Sequence, residues 1–82
     1  MRTVLRNTNK DNPTDNNATF VTIKLTQFAK NGYDVHGDFM YPDGIFNKMF
    51  TVTPNPYHAK VVYNREIDTL KSKGYVIETE ED

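Results

Sequence analysis

The sequence predicts a small α+β domain, in which an antiparallel sheet of three to five strands carries one helix on its apolar face. Three observations predict this class. Residues 33–53 alternate apolar and polar side chains around Asp43-Gly44, residues 20–26 alternate in the same way, and residues 56–73 repeat apolar side chains at helical spacing. The expected order is β-β-β-α-β with an optional short N-terminal strand, which 82 residues accommodate as one domain.

Composition divides the chain into three parts. Residues 1–18 form a flexible N-terminal segment, because Asn, Asp, Thr and Pro dominate after a possible short strand at residues 3–5. Residues 19–77 form the α+β domain. Residues 78–82 form an acidic tail that contains four carboxylates. The domain therefore has only about sixty residues from which to build a core, and a core of that size is marginal.

The strand at residues 20–26 is rich in β-branched side chains, with Val21, Ile23 and Leu25 on one face. A three-residue loop at residues 30–32, with Gly32 in the left-handed position, is expected to connect it to the next strand. That loop pairs Leu25 with Gly37 and keeps the apolar side chains of both strands on one face.

The central hairpin is expected to turn at Asp43-Gly44, a two-residue loop with a strong preference for this dipeptide. This register pairs Tyr41 with Phe46, Phe39 with Lys48, Gly37 with Phe50 and Val35 with Val52. One face is then apolar, and Gly37 leaves a gap for the Phe50 ring. A three-residue loop at residues 42–44 is rejected, because it places Phe46 and Phe50 on the polar face.

A helix is expected over residues 56–73. Asn55 is placed to cap its N-terminus, Pro56 occupies the first helical position, and Gly74 follows its end. A competing interpretation, a strand at residues 57–63 followed by a short helix, stays open because those residues also alternate. Residues 75–77 return as the last strand.

The residues needed for most catalytic chemistry are missing. The chain has no cysteine, one serine and no phosphate-binding glycine loop, so we expect no enzyme and no cofactor. Asp34, His36 and Asp38 share one strand face and have the chemistry of metal ligands, but such alternation is typical of the wet side of a sheet, so no metal site is predicted. A net charge of −1 argues against nucleic acid as a partner. Without a membrane segment or leader, the expected location is cytoplasmic.

One exposed apolar cluster is expected on the polar face of the hairpin. Met40, Ile45 and Met49 meet near the turn and are flanked by Lys24. Adaptable methionine side chains suit protein binding, so these four residues are the predicted binding residues. The alternative is that the N-terminal strand folds over this cluster.

The expected function is a small non-enzymatic interaction module that binds and modulates, for example by inhibition, a larger host protein. A composition rich in Asn, Lys and Tyr is typical of AT-rich coding and favours a phage or mobile-element accessory protein. The alternative is a module that binds single-stranded nucleic acid through Lys24, Lys30 and Phe28.

The strand at residues 20–25 is long and apolar, which is a hazard if it lies at an edge of the sheet. Pairing of this edge with a second copy predicts a homodimer. Pairing of residues 3–5 onto the same edge is the monomeric alternative.

Overall fold

The computed structural model describes residues 1–8 and 18–82, which form five strands and one helix. In chain order these are β1 (Arg2–Asn7), β2 (Phe20–Ala29), β3 (Gly32–Tyr41), β4 (Gly44–Thr53), α1 (Pro56–Ser72) and β5 (Tyr75–Glu81). The strands form one sheet in the order β4-β3-β2-β1-β5, with every neighbouring pair antiparallel. The predicted α+β class with one helix on the sheet is confirmed. The loop predicted to be flexible falls mainly on residues 9–17, which lie outside the described residues.

The N-terminal strand β1 lies inside the sheet, between β2 and β5. It pairs Thr3 with Ile23 and Leu5 with Val21, so the optional strand of the prediction is present and longer than residues 3–5. Strand β2 is therefore not an edge, and the pairing given as the monomeric alternative is confirmed. The expectation that residues 3–5 cover the methionine side chains is wrong.

Strand β5 is longer than expected, because residues 78–81 of the predicted acidic tail continue it. Two ion pairs join these residues to β1. The Arg2 guanidinium lies 2.6 Å from the Glu81 carboxylate, and Arg6 pairs with Glu78. The opposite charges of the two chain ends thus meet on adjacent strands.

Helix α1 connects β4 to β5, the two outer strands, and packs across the sheet between them. Its N-cap is Asn55, whose Oδ1 accepts hydrogen bonds from the backbone N–H groups of Tyr57 (2.9 Å) and His58 (3.3 Å). Gly74 follows its C-terminus with a φ of 100°. The helix interpretation is correct to within one residue, and the competing strand at residues 57–63 is wrong.

The core lies between α1 and one face of the sheet. The sheet contributes Leu5, Val21, Ile23 and Val35, all fully buried, and the helix contributes Ala59, Val62, Tyr63, Ile67 and Leu70. These five positions recur at the spacing of one helix face. A helix therefore buries all five side chains against the sheet, whereas a strand would turn some of them away from it.

The register between β2 and β3 is shifted by two residues from the prediction, so that Ile23 and not Leu25 faces Gly37. The cause is a bulge between Gln27 and Ala29, which brings Ala29 opposite Gly32. Gly32 therefore belongs to the strand and does not have a positive φ, contrary to the prediction. Because a shift of two positions preserves the face of each side chain, the predicted apolar face is unaffected.

The β3–β4 hairpin also differs from the prediction. Tyr41 pairs with Gly44, so the turn is Pro42-Asp43 and not Asp43-Gly44, and Phe39 pairs with Phe46. A bulge at Phe50 of β4, opposite the step from Val35 to His36 on β3, then changes the register.

The consequences of this bulge fall on Phe50 and Val52. Phe50 still packs against the core and its ring contacts Phe39 edge-on, with 6.4 Å between centroids. The predicted gap at Gly37 is present, because a Cβ atom there would lie 3.0 Å from both rings. Val52, however, lies opposite Asp34 and is exposed, so its predicted pairing with Val35 on the core face is wrong.

The buried tyrosines make stability sensitive to alkaline pH. Burial raises the pKa of the Tyr63 and Tyr75 hydroxyls, which hydrogen-bond to the Thr3 hydroxyl and to the Ala18 carbonyl oxygen respectively. The folded chain holds these protons more tightly than the unfolded chain. Their contribution to stability is therefore complete below pH ~10, the usual tyrosine value, and is lost as pH rises through the folded-state pKa values.

We expect the free energy of unfolding, measured by urea denaturation between pH 8 and pH 11, to fall steeply at the alkaline end. The double variant Tyr63→Phe/Tyr75→Phe should show a shallower fall, because it lacks the two hydroxyls whose pKa burial raises. Equal slopes for the two proteins would contradict the assignment.

Candidate protein-interaction surface

The face of the sheet opposite α1 is open, and its centre is polar as predicted. Lys24 Nζ lies 3.4 Å from Asp38 Oδ2, and the Asn47 side-chain amide donates to the same Asp38 carboxylate group. His36 Nδ1 lies 2.6 Å from Asp34 Oδ1. Each of these charged or polar groups therefore already has a partner within the face.

Three exposed apolar side chains flank the Asp38–Asn47 pair of this polar centre. Met40 and Ile45 are directly opposite each other across the two strands, and Met49 lies opposite His36. Their exposures are 46%, 62% and 55% respectively. We call Met40, Ile45 and Met49 the methionine patch. The structure thus places all three apolar residues that the sequence singled out on the open face, uncovered by the described residues, with the Asp38–Asn47 row between the Met40–Ile45 pair and Met49.

Lys24, the fourth predicted residue, lies in the same cross-strand row as Met49, with His36 between them. Its position beside the patch agrees with the prediction. Its ammonium group is only partly free, because the ion pair with Asp38 draws it toward the polar centre.

Val52 continues the apolar surface along β4, and sequence reasoning missed it. It is 60% exposed and is the next open-face residue after Met49. Simple alternation from Met49 assigns Val52 to the core side, and the bulge at Phe50 reverses this assignment. Nothing in the local sequence of β4 marks the bulge.

A shallow groove of about 270 Å³ lies at the end of the sheet away from the turn, and its lining includes Phe28, Val52 and Pro54. Phe28 is 61% exposed, and its ring covers Gly32, where a Cβ atom would come within 2.7 Å of it. The aromatic residue of the nucleic-acid alternative thus lies at the opposite end of the sheet from Met40 and Ile45.

The three potential metal ligands on β3 are spread along the strand. Asp34, His36 and Asp38 share a face, but successive positions on one face of a strand are ~7 Å apart. Within residues 1–8 and 18–82, no three or more His, Cys, Asp or Glu side chains are grouped so that they could hold a metal ion.

No family model, curated protein or solved structure matches this chain. Among the described residues, no helix has both the length and the apolar character required to span a membrane.

Proposed function

We propose that this protein is a small non-enzymatic interaction module that binds a larger protein through the methionine patch. The observation that carries the proposal is the exposure of Met40, Ile45 and Met49 on one open face of the sheet. Several large apolar side chains left exposed on one face of a small protein make that face a candidate binding surface.

The surroundings of the patch support a protein as the partner. Methionine side chains adapt to irregular apolar surfaces, and two of the three patch residues are methionines. Lys24, Asp38 and His36 place polar groups beside and between these apolar side chains, so the surface offers a partner both polar and apolar contacts. In this proposal the partner is a larger host protein in the cytoplasm, whose activity the module modulates by covering part of its surface, as a phage accessory inhibitor does.

Single-stranded nucleic acid, the alternative partner, is less well supported. Its candidate cation Lys24 is paired with Asp38, and Asp34 lies on the same face. These carboxylates repel the phosphates that Lys24 and Lys30 have to attract.

The double variant Met40→Glu/Met49→Glu tests the proposed function. We expect proteins captured from a host lysate by the immobilised full-length chain to bind this variant at least about 30-fold more weakly, which corresponds to ~2 kcal/mol. The thermal midpoint should change little, because both side chains are exposed. The matched control is Tyr57→Glu/Val61→Glu, which makes the same charge change at two exposed apolar positions of α1.

Unfolding of Met40→Glu/Met49→Glu would show that the two methionines are core residues. Undiminished capture by a folded variant, or equal loss in the control, would show that the partner binds elsewhere.

A further inference from the structure

The two edges of the sheet differ in how they are protected. Strand β5 carries Glu78, Glu80 and Glu81, and charges of this kind discourage pairing with another chain. Strand β4 has ten residues and a single charge, Lys48. Ile45, Phe46, Met49 and Val52 on β4 are all more than half exposed. The β4 edge is therefore long, apolar and open.

The direction of the backbone groups on β4 follows from the hydrogen bonds at the other side of the sheet. Met1 and Leu25 exchange two bonds, from the Met1 amino group to the Leu25 oxygen (3.1 Å) and from the Leu25 N–H to the Met1 oxygen (2.9 Å). The backbone groups of Leu25 therefore point toward the β1 side of β2. Because backbone groups alternate in direction along a strand, those of Lys24 point the other way and bond to its β3 partner His36.

The same alternation continues from β3 to β4. The backbone N–H and C=O groups of His36 and Asp38 point toward β2. Those of Gly37 and Phe39 therefore point toward β4, where they bond to Lys48 and Phe46. The N–H and C=O groups of the three intervening β4 residues, Ile45, Asn47 and Met49, therefore point away from the sheet. These three residues present a regular set of donors and acceptors to a further strand.

We propose that a second copy of this chain pairs with this edge, β4 against β4, around a two-fold axis at Asn47. In this antiparallel register Asn47 faces Asn47 of the second copy, Ile45 faces Met49, and Phe46 faces Lys48. The Asn47–Asn47 pair and the two Ile45–Met49 pairs are the hydrogen-bonded pairs of this register. This matches the outward direction of the backbone groups of Ile45, Asn47 and Met49. The result is a continuous ten-stranded sheet.

The β4 sequence is complementary to itself in this register. The Ile45–Met49 pairs are apolar and lie on the open face, and the only charged residue, Lys48, faces a phenylalanine and not a second lysine. Lys48 already lies over an aromatic ring within its own chain, with Nζ 5.5 Å from the Phe50 centroid. Pairing of β4 with β5 of another copy instead joins unlike edges, and such a contact continues into a ring or an open chain of copies.

The two-fold pairing also enlarges the candidate binding surface. The Ile45–Met49 pairs place Met49 of one copy beside Ile45 and Met40 of the other, so that the dimer has two apolar clusters on its open face, one on each side of the Asn47 pair. This consequence rests on the proposed function, whereas the dimer itself does not.

Asn47→Pro and Asn47→Ala form a matched pair that tests the dimer. Proline removes the outward N–H of Asn47 and leaves the β3–β4 ladder intact, as proline can at an edge strand. Alanine keeps this N–H and loses only the side-chain bond to Asp38. By light scattering, we expect the wild type and Asn47→Ala to have twice the chain mass of 9.5 kDa, and folded Asn47→Pro to have 9.5 kDa. Loss of two hydrogen bonds should weaken dimerisation at least about 30-fold.

A wild-type mass of 9.5 kDa up to about 100 micromolar, or a folded Asn47→Pro that dimerises normally, would overturn the proposal. Larger polymers would also overturn it in favour of β4–β5 pairing. If circular dichroism shows that Asn47→Pro is unfolded, Asn47→Cys replaces it. In a chain without cysteine, this variant should form a disulfide dimer on oxidation much faster than Thr69→Cys on the exposed side of α1. Equal rates would contradict the register.

Met40→Glu separates this proposal from the proposed function. Met40 lies on β3 and not on the β4 edge, so the variant should reduce partner capture and remain dimeric. A monomeric wild type together with lost capture by Met40→Glu would overturn the dimer only. A dimer that captures partners equally well with Met40→Glu would overturn only the binding role of the patch.

Discussion

Replacing Leu5 with alanine is expected to lower the free energy of unfolding by about 2–5 kcal/mol. Leu5 is fully buried, and its strand β1 is held on both sides, opposite Val21 of β2 and Ile77 of β5. Hydrogen-bonded neighbours on both sides limit how far the backbone can move to fill the cavity. A chain of this length has a total stability of roughly 4–12 kcal/mol, so the loss is a large fraction of it.

The measurement is urea denaturation followed by circular dichroism, with Val76→Ala as the matched control. Val76 lies on β5 opposite Arg6 and is 40% exposed, so its truncation should cost less than ~1 kcal/mol. If Leu5→Ala costs no more than Val76→Ala, β1 does not belong to the core, and the N-terminal segment is peripheral to the fold.

Replacing Gly37 with valine is expected to cost about 1–3 kcal/mol, although valine favours strands and glycine does not. A Cβ atom at this position would lie 3.0 Å from ring carbons of Phe39 and Phe50 and 3.2 Å from Ile23 Cδ1. Valine adds two methyl groups to this crowded site. The rings have to move, and their packing against the core is lost.

Phe50→Leu provides the internal test of this explanation. The smaller side chain makes room at Gly37, so Gly37→Val should cost less in the Phe50→Leu background than in the wild type. A double-mutant cycle by urea denaturation measures this coupling, for which we expect at least ~0.5 kcal/mol. Strict additivity would show that the cost of valine comes from the backbone and not from the Phe50 ring.

The faces of the strands were predictable even where their registers were not. The β2–β3 register was wrong by two positions, yet Val21, Ile23 and Val35 all lie in the core as expected. Side chains alternate with a period of two, so an error of two positions leaves each residue on its own face. The bulge that caused the error depends on both strands together, and neither strand shows it alone.

The candidate site was predicted in part for the same reason. Ile45 lies before the bulge in β4, where alternation holds, and Met40 lies opposite it on β3, so the structure places both on the open face as expected. Val52 lies after the bulge and was assigned to the wrong face. Phe46 lies on the helix side but remains exposed, because it is near the turn, beyond the cover of the described core.

The local features of this protein were predictable from its sequence: the alternation of its strands, and the helix with its Asn55 cap and Gly74 terminus. These features depend on interactions between residues close together in the chain. The tertiary structure alone decided that β1 lies between β2 and β5, and hence that β4 and not β2 is the open apolar edge. The contacts that settle this order join residues far apart, such as Thr3 with Tyr63 and Arg2 with Glu81. No short sequence pattern encodes such contacts, because each depends on the burial available once the whole sheet has formed.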